Sequence, residues 1–167
     1  MSKWINMLLD LIRQAVAARS ERDPIAGKTT RRSAPPTRPV ERGVRVEYTP
    51  EIDGEADPGE VVWAWVPFEE DPNRGKDRPV VVIGRTNTPQ GARLAGVALT
   101  SKNKGRDDHV PVGTGDWDPK HRDSWAKVDR LLLLDDDDVR REGAVLARNR
   151  FDDVVGNAAR YHDLVRA

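Results

Sequence analysis

The chain of 167 residues contains no cysteine. This excludes disulfide staples, thiolate nucleophiles and cysteine-ligated metals, and it suits a reducing cytoplasm. Histidine is almost as scarce. The three present, His109, His121 and His162, show neither HxH nor HExxH spacing. No metal centre, cofactor or two-histidine catalytic pair is therefore expected, and His109 and His121 are taken as bystanders. Long apolar runs are missing too. The nearest, residues 3–19 (KWINMLLDLIRQAVAAR), falls short of the roughly 20 apolar residues needed to span a bilayer. Asp10 inside that stretch also argues against a secretory signal. Net charge is absent as well, since 28 Lys+Arg balance 28 Asp+Glu. Any site for a polyanion must then be a local patch.

What is present falls into three segments. Residues 1–20 carry Trp4, Leu8, Leu11 and Ala15 at helical spacing, with Ile5, Ile12 and Val16 widening the stripe, so an amphipathic helix is expected there. Its apolar side needs cover from this chain or from a second copy, with a membrane surface as the alternative. Residues 21–56 form a Pro/Arg-rich linker. Over 20–45, seven basic residues face three acidic ones, and little there is apolar enough to offset the entropy of ordering. Nonspecific RNA contact is a secondary reading of that charge. β-Branched residues resume at Val44 and Val46, and the folded domain is assigned to 57–167.

Within it, Gly59–Pro67 (GEVVWAWVP) reads as a strand from its β-branched and aromatic content. A charged loop, Phe68–Asp77, leads to Arg78-Pro79-Val80-Val81-Val82-Ile83-Gly84, whose apolar run predicts a strand buried on both faces. Further strands are expected at Leu94–Thr100, His109–Val112, Ser124–Leu134 and Glu142–Ala147. Consecutive aspartates point in different directions, so Asp135–Asp138 is expected to be a turn rather than a metal site. Asn149 is the expected N-cap of a helix running through Phe151, Val154, Ala158, Tyr161 and Val165. Short strands joined by turn-rich loops predict a small antiparallel β-barrel, closed by this C-terminal helix.

Pro79 is tolerable only at the start of a strand, and it holds Arg78 in extended backbone at the strand mouth. Taken alone, such an arginine is an edge charge that keeps a sheet soluble. Four motifs in order change its weight: GEVVWAWVPF, DRPVVVIGR, a strand ending ALTSK, and RDSWAKVDRLLLLD. Over residues 57 to 165 the chain resembles the MazF/PemK toxins of type II toxin–antitoxin systems. That resemblance implies an SH3-like barrel, a homodimer, a cognate antitoxin, and metal-independent cleavage of single-stranded RNA. It also implies Arg78 and Thr100 as the catalytic pair. The chemistry is coherent, because RNA carries its own nucleophile, the 2′-hydroxyl. The protein then has only to position, stabilise charge and assist proton transfer. Arg78 would clamp the phosphate and Thr100 would hydrogen-bond one of its oxygens.

Arg74, Lys76 and Arg85 flank Arg78, while Lys102, Lys104 and Arg106 follow Thr100; all six are expected to contact RNA phosphates. Trp117, in a loop, is the candidate for stacking on a base, whereas Trp63, Trp65 and Trp125 are assigned to the core. The rival reading is a non-catalytic interaction module on the same barrel, since a relative of this fold poisons DNA gyrase by protein contact.

Overall fold

The computed structural model describes residues 43–167. The helix expected at 1–20 and the linker as far as residue 42 lie outside the described residues. The elements are β1 (Val44–Val46), β2 (Glu60–Pro67), β3 (Gly75–Thr88), β4 (Gly91–Thr100), β5 (His109–Gly113), β6 (Ser124–Lys127), β7 (Leu132–Leu134), β8 (Val139–Val145), α1 (Arg148–Ala158) and β9 (Leu164–Arg166). They form a mainly β fold, a sheet curled into a half-barrel with one C-terminal helix.

The antiparallel hairpin of β3 and β4 is the spine. On one edge, β3 pairs first with β2 (Pro67↔Gly75 to Val61↔Val81) and then with β1 (Val46↔Gly84). On the other edge, β4 pairs with β7 near its start and with β6 at its end. The apolar run in β3 is buried on both faces, as its composition predicts. Val81 and Ile83 enter one core with Val97, Leu99 and the α1 residues Phe151, Val154 and Ala158. Val80 and Val82 enter a second with Val62, Ala64, Leu94, Ala98 and Leu132. Each face of the strand therefore has its own apolar cluster, which is why alternation with polar residues is missing.

Residues 43–56, given to the linker by composition, contribute to this packing. β1 is a strand of the sheet, and Val44 and Val46 are buried. Tyr48 donates its hydroxyl to the Leu146 carbonyl at 2.9 Å and packs edge-on against Phe151. β1 approaches β3 so closely that a Cβ on Gly84 would run into the Arg45 carbonyl oxygen. A glycine is needed there for space.

Three local expectations are corrected. The segment Ser124–Leu134 is two strands, because the chain turns at Val128 and Asp129, with Val128 buried in the first core, and rejoins the same edge of β4 as β7. The helix starts at Arg148 with Ala147 at its N-cap, so Asn149 lies inside the first turn and caps nothing. That helix ends at Ala158, and Leu164–Arg166 instead form β9, parallel to β1. Gly156 and Asn157 weaken the last turn, while the free edge of β1 offers backbone partners such as Val46 O for Ala167 N–H, 3.1 Å. Asp136–Asp138 make a single 3-10 turn in which Asp135 pairs with Arg93 and Asp136 with Arg85. The aspartates diverge, as expected for consecutive positions.

Candidate active site

The register places the candidate residues. Val80 and Ala98 are the last pair of the β3–β4 ladder, and Arg78 and Thr100 each lie two residues beyond it on their strands. Val80 and Ala98 point into the second core, so Arg78 and Thr100 extend the same face beyond it. Both line an open cleft of about 490 Å³. Eight lysines and arginines line this cleft against four carboxylates. A chain with no net charge has thus gathered a local cationic patch.

β3 begins at Gly75, so Pro79 lies inside the strand rather than at its start. Arg78 is the strand's half-buried fourth residue, opposite Ala64. No side-chain hydrogen bond or salt bridge of its guanidinium is found among the described residues. Burial pushes its pKa down, and the neighbouring Arg130 adds to that, with Glu69 opposing. Arg130 donates from Nη1 to the Pro67 carbonyl at 2.7 Å, while its buried Nη2 has no partner. A buried unpaired donor of this kind costs about 1–3 kcal/mol. Two guanidiniums with unused donors thus share one cleft, and an anion between them would relieve both costs. Thr100 Oγ1 accepts the Lys102 N–H at 3.2 Å, which leaves its own proton free to donate.

Several cleft cations are already paired. Lys127 Nζ meets Glu69 Oε1 at 2.7 Å, and this hydrogen bond holds the Glu69 carboxyl below its ordinary pKa. Arg106 forks onto Asp108 at 3.0 and 2.5 Å; burial alone would raise Asp108, but the fork holds it down. Arg122 grips Asp118 at 2.7 Å and, with the Lys120 N–H, lowers it to about 2. Lys76, Lys102 and Lys104 are exposed and line the cleft. Lys76 has its pKa lowered by Arg78 and by burial.

Two of the expected RNA contacts lie elsewhere. Arg85 donates to the Ala56 carbonyl at 2.9 Å and pairs with Asp136, outside the cleft, because it sits seven residues along β3 from Arg78. Arg74 stacks over the Phe68 ring at 5.9 Å and is not among the cleft residues. Trp117 lines the cleft yet is 3% exposed, lies in the first core and donates Nε1–H to Ser124 Oγ at 3.2 Å. Trp63, Trp65 and Trp125, assigned to the core, are instead half-buried on strand faces. Arg130, Lys127, Glu69 and His109 are cleft residues that sequence reasoning passed over. Arg130 carried the signal used for Arg78, an arginine at the mouth of an apolar run. The Glu69–Lys127 pair spans 58 positions and left no local trace.

His109 stands apart. It is 9% exposed, lines the cleft, and neither ring nitrogen has a hydrogen-bond partner. Asp129 Oδ1, in the turn before Arg130, is likewise buried without a partner.

A search of curated proteins returned no match. The four motifs that frame Arg78 and Thr100 lie within residues 57–160, which match the family model described as PemK-like, MazF-like toxin of type II toxin-antitoxin system. That span exceeds half of the chain, and the protein belongs to this toxin family.

Proposed function

We propose that the chain is the toxin of a toxin–antitoxin pair and acts as a metal-independent endoribonuclease on single-stranded RNA. The observation that supports this reading is that Arg78 and Thr100 line one cationic cleft, where a buried donor of Arg130 is unused. In the step envisaged, the 2′-hydroxyl loses its proton and its oxygen attacks the adjacent phosphorus. The bond to the 5′-oxygen breaks, and that oxygen leaves with a proton. The products are a 2′,3′-cyclic phosphate and a 5′-hydroxyl end. Arg78 and Arg130 hold the phosphate and stabilise the charge that grows on its oxygens. Thr100 donates to one of those oxygens and fixes the in-line geometry.

Cleavage of labelled RNA in EDTA tests the reading. The wild type is expected to cut, Arg78→Ala to lose about 10²–10³ in rate, and Thr100→Ala to be slowed less. Equal integrity of RNA with all three proteins would end the enzyme reading and favour a non-catalytic interaction module. Family membership implies an antitoxin partner. Under the same reading the toxin works as a cytoplasmic homodimer, which light scattering at micromolar concentration checks. Among the described residues no helix is long and apolar enough to cross a membrane. Residues 3–19 are assigned to docking on this chain or a second copy, with a membrane surface as the alternative. Deleting residues 1–42 should then change oligomer size or localisation, and no change in either would remove that role.

A further inference from the structure

Alternation across three strands sets the position of His109. Leu99, Ala126 and Val110 are paired in series across β4, β6 and β5, and all three enter the first core. Their strand neighbours Thr100, Lys127 and His109 therefore face the opposite side, and all three line the cleft. His109 is the direct partner of Lys127. From Thr100 it lies two strand spacings across and one side-chain repeat along, on the order of 12 Å between Cα atoms. The ring shares the cleft with Arg78 and Thr100 and lies within a nucleotide's reach of a phosphate held by them, where the base of a bound nucleotide would lie.

The ring is chemically suited to that place. It is nine-tenths buried, and both nitrogens lack partners. Burial depresses its pKa, with Asp108 opposing and Lys127 adding to the depression. A neutral imidazole offers one donor and one acceptor. Two ion pairs flank it, Lys127–Glu69 across β6 and Arg106–Asp108 beside it in sequence. Under the ribonuclease reading, RNA phosphates would compete with those carboxylates for Lys127 and Arg106 beside the ring.

We infer that His109 is a specificity-determining residue, its unpartnered ring nitrogen hydrogen-bonding the edge of an RNA base next to the scissile phosphate. Single-stranded RNA is generally read in this way, through splayed bases bonded on their exposed edges. The inference rests on the ribonuclease reading and adds to it which residue chooses the cut site.

The test digests a random-sequence RNA pool with the full-length wild type, His109→Phe, His109→Asn and Arg78→Ala, and sequences the cut ends. His109→Phe removes two unpartnered polar atoms from a buried site and is expected to fold. It should relax base preference at one position of the cut site by about ten-fold or more, with the other positions unchanged. His109→Asn, which keeps a donor and an acceptor, should shift that preference or partly retain it. An unchanged cut profile in His109→Phe, with the wild type cutting and Arg78→Ala inactive, overturns the inference and leaves the ribonuclease reading standing. A uniform slowing on every sequence also overturns it, since that marks a role in the chemical step or in the scaffold. A wild type no more active than Arg78→Ala removes both readings together. Should His109→Phe fail to fold, the imidazole nitrogen shifts of the wild type, titrated with 2′-deoxy oligonucleotides of different sequence, decide instead. Sequence-dependent shifts at His109 support the assignment, and their absence overturns it.

Discussion

Asp118 and Arg122 show what one side chain contributes beside the cleft. The carboxyl sits at about 2, against an ordinary 3.8, because Arg122 and the Lys120 N–H both favour its charged form. Its folded pKa is depressed, so the stability it confers is fully present above about pH 4 and is lost as pH falls from there towards 2. Asp118→Asn should lower the melting temperature at pH 7, and the gap from wild type should close as pH drops through that window. A gap that stays constant with pH would show that the pair contributes packing alone. Trp117 makes the second case. With its indole N–H bonded to Ser124 in the core, Trp117→Phe should cost about 1–3 kcal/mol in denaturant unfolding while leaving RNA affinity intact. Weakened RNA binding at unchanged stability would return it to the role composition suggested. A loop position implies exposure, whereas this loop folds back over the core and leaves Trp117 3% exposed. Arg78 and Thr100 were singled out by the resemblance that the four motifs carry, since taken alone each is an ordinary strand residue. His109 was not, since its lack of partners is a property of the folded cleft and leaves no mark in sequence.

At the level of elements, the strands showed themselves where apolar stretches were long, β-branched in β2 and β3 and mixed with alanine and leucine in β4. The short ones did not. Tyr161, Leu164 and Val165 continue a helical spacing beyond Ala158, and only the open edge of β1 decides that Leu164–Arg166 become a strand. β1 itself is three residues long and was hidden in a polar context. Its attachment depends on Gly84, where any side chain meets the Arg45 carbonyl. Gly84→Ala should therefore destabilise the fold by about 1–3 kcal/mol. It should also speed hydrogen exchange in β1 and β9 before β2 and β4 are affected. Equal acceleration throughout the sheet would show that β1 is not a separable unit.

Over the whole molecule, charge neutrality conceals a division of labour. The cations of the cleft separate into those paired with carboxylates, namely Arg106, Arg122 and Lys127, and those left open, among them Lys102 and Lys104. For single-stranded RNA each open phosphate contact contributes about 0.7 to the slope of log affinity against log salt. Lys102→Ala and Lys104→Ala should each reduce that slope by about this amount, evenly across RNA sequences. Arg122→Ala should change it less, because that guanidinium is already held by Asp118. Identical slopes for all three variants would mean that the ion pairs open fully on binding.

The parallel pairing of β9 with β1 has a consequence for synthesis. The first strand of the described fold is held on one side by β3 and on the other by β9, the last strand of the described fold. A nascent polypeptide still lacking Leu164–Arg166 has β1 as an open edge, and one lacking α1 has no cover for Val81, Ile83 and Leu99. Such a chain already contains Arg78, Thr100 and every other cleft residue, yet it lacks part of the scaffold that aligns them. Under the ribonuclease reading, the cleft residues are fully scaffolded only once α1 and β9 have packed against the sheet.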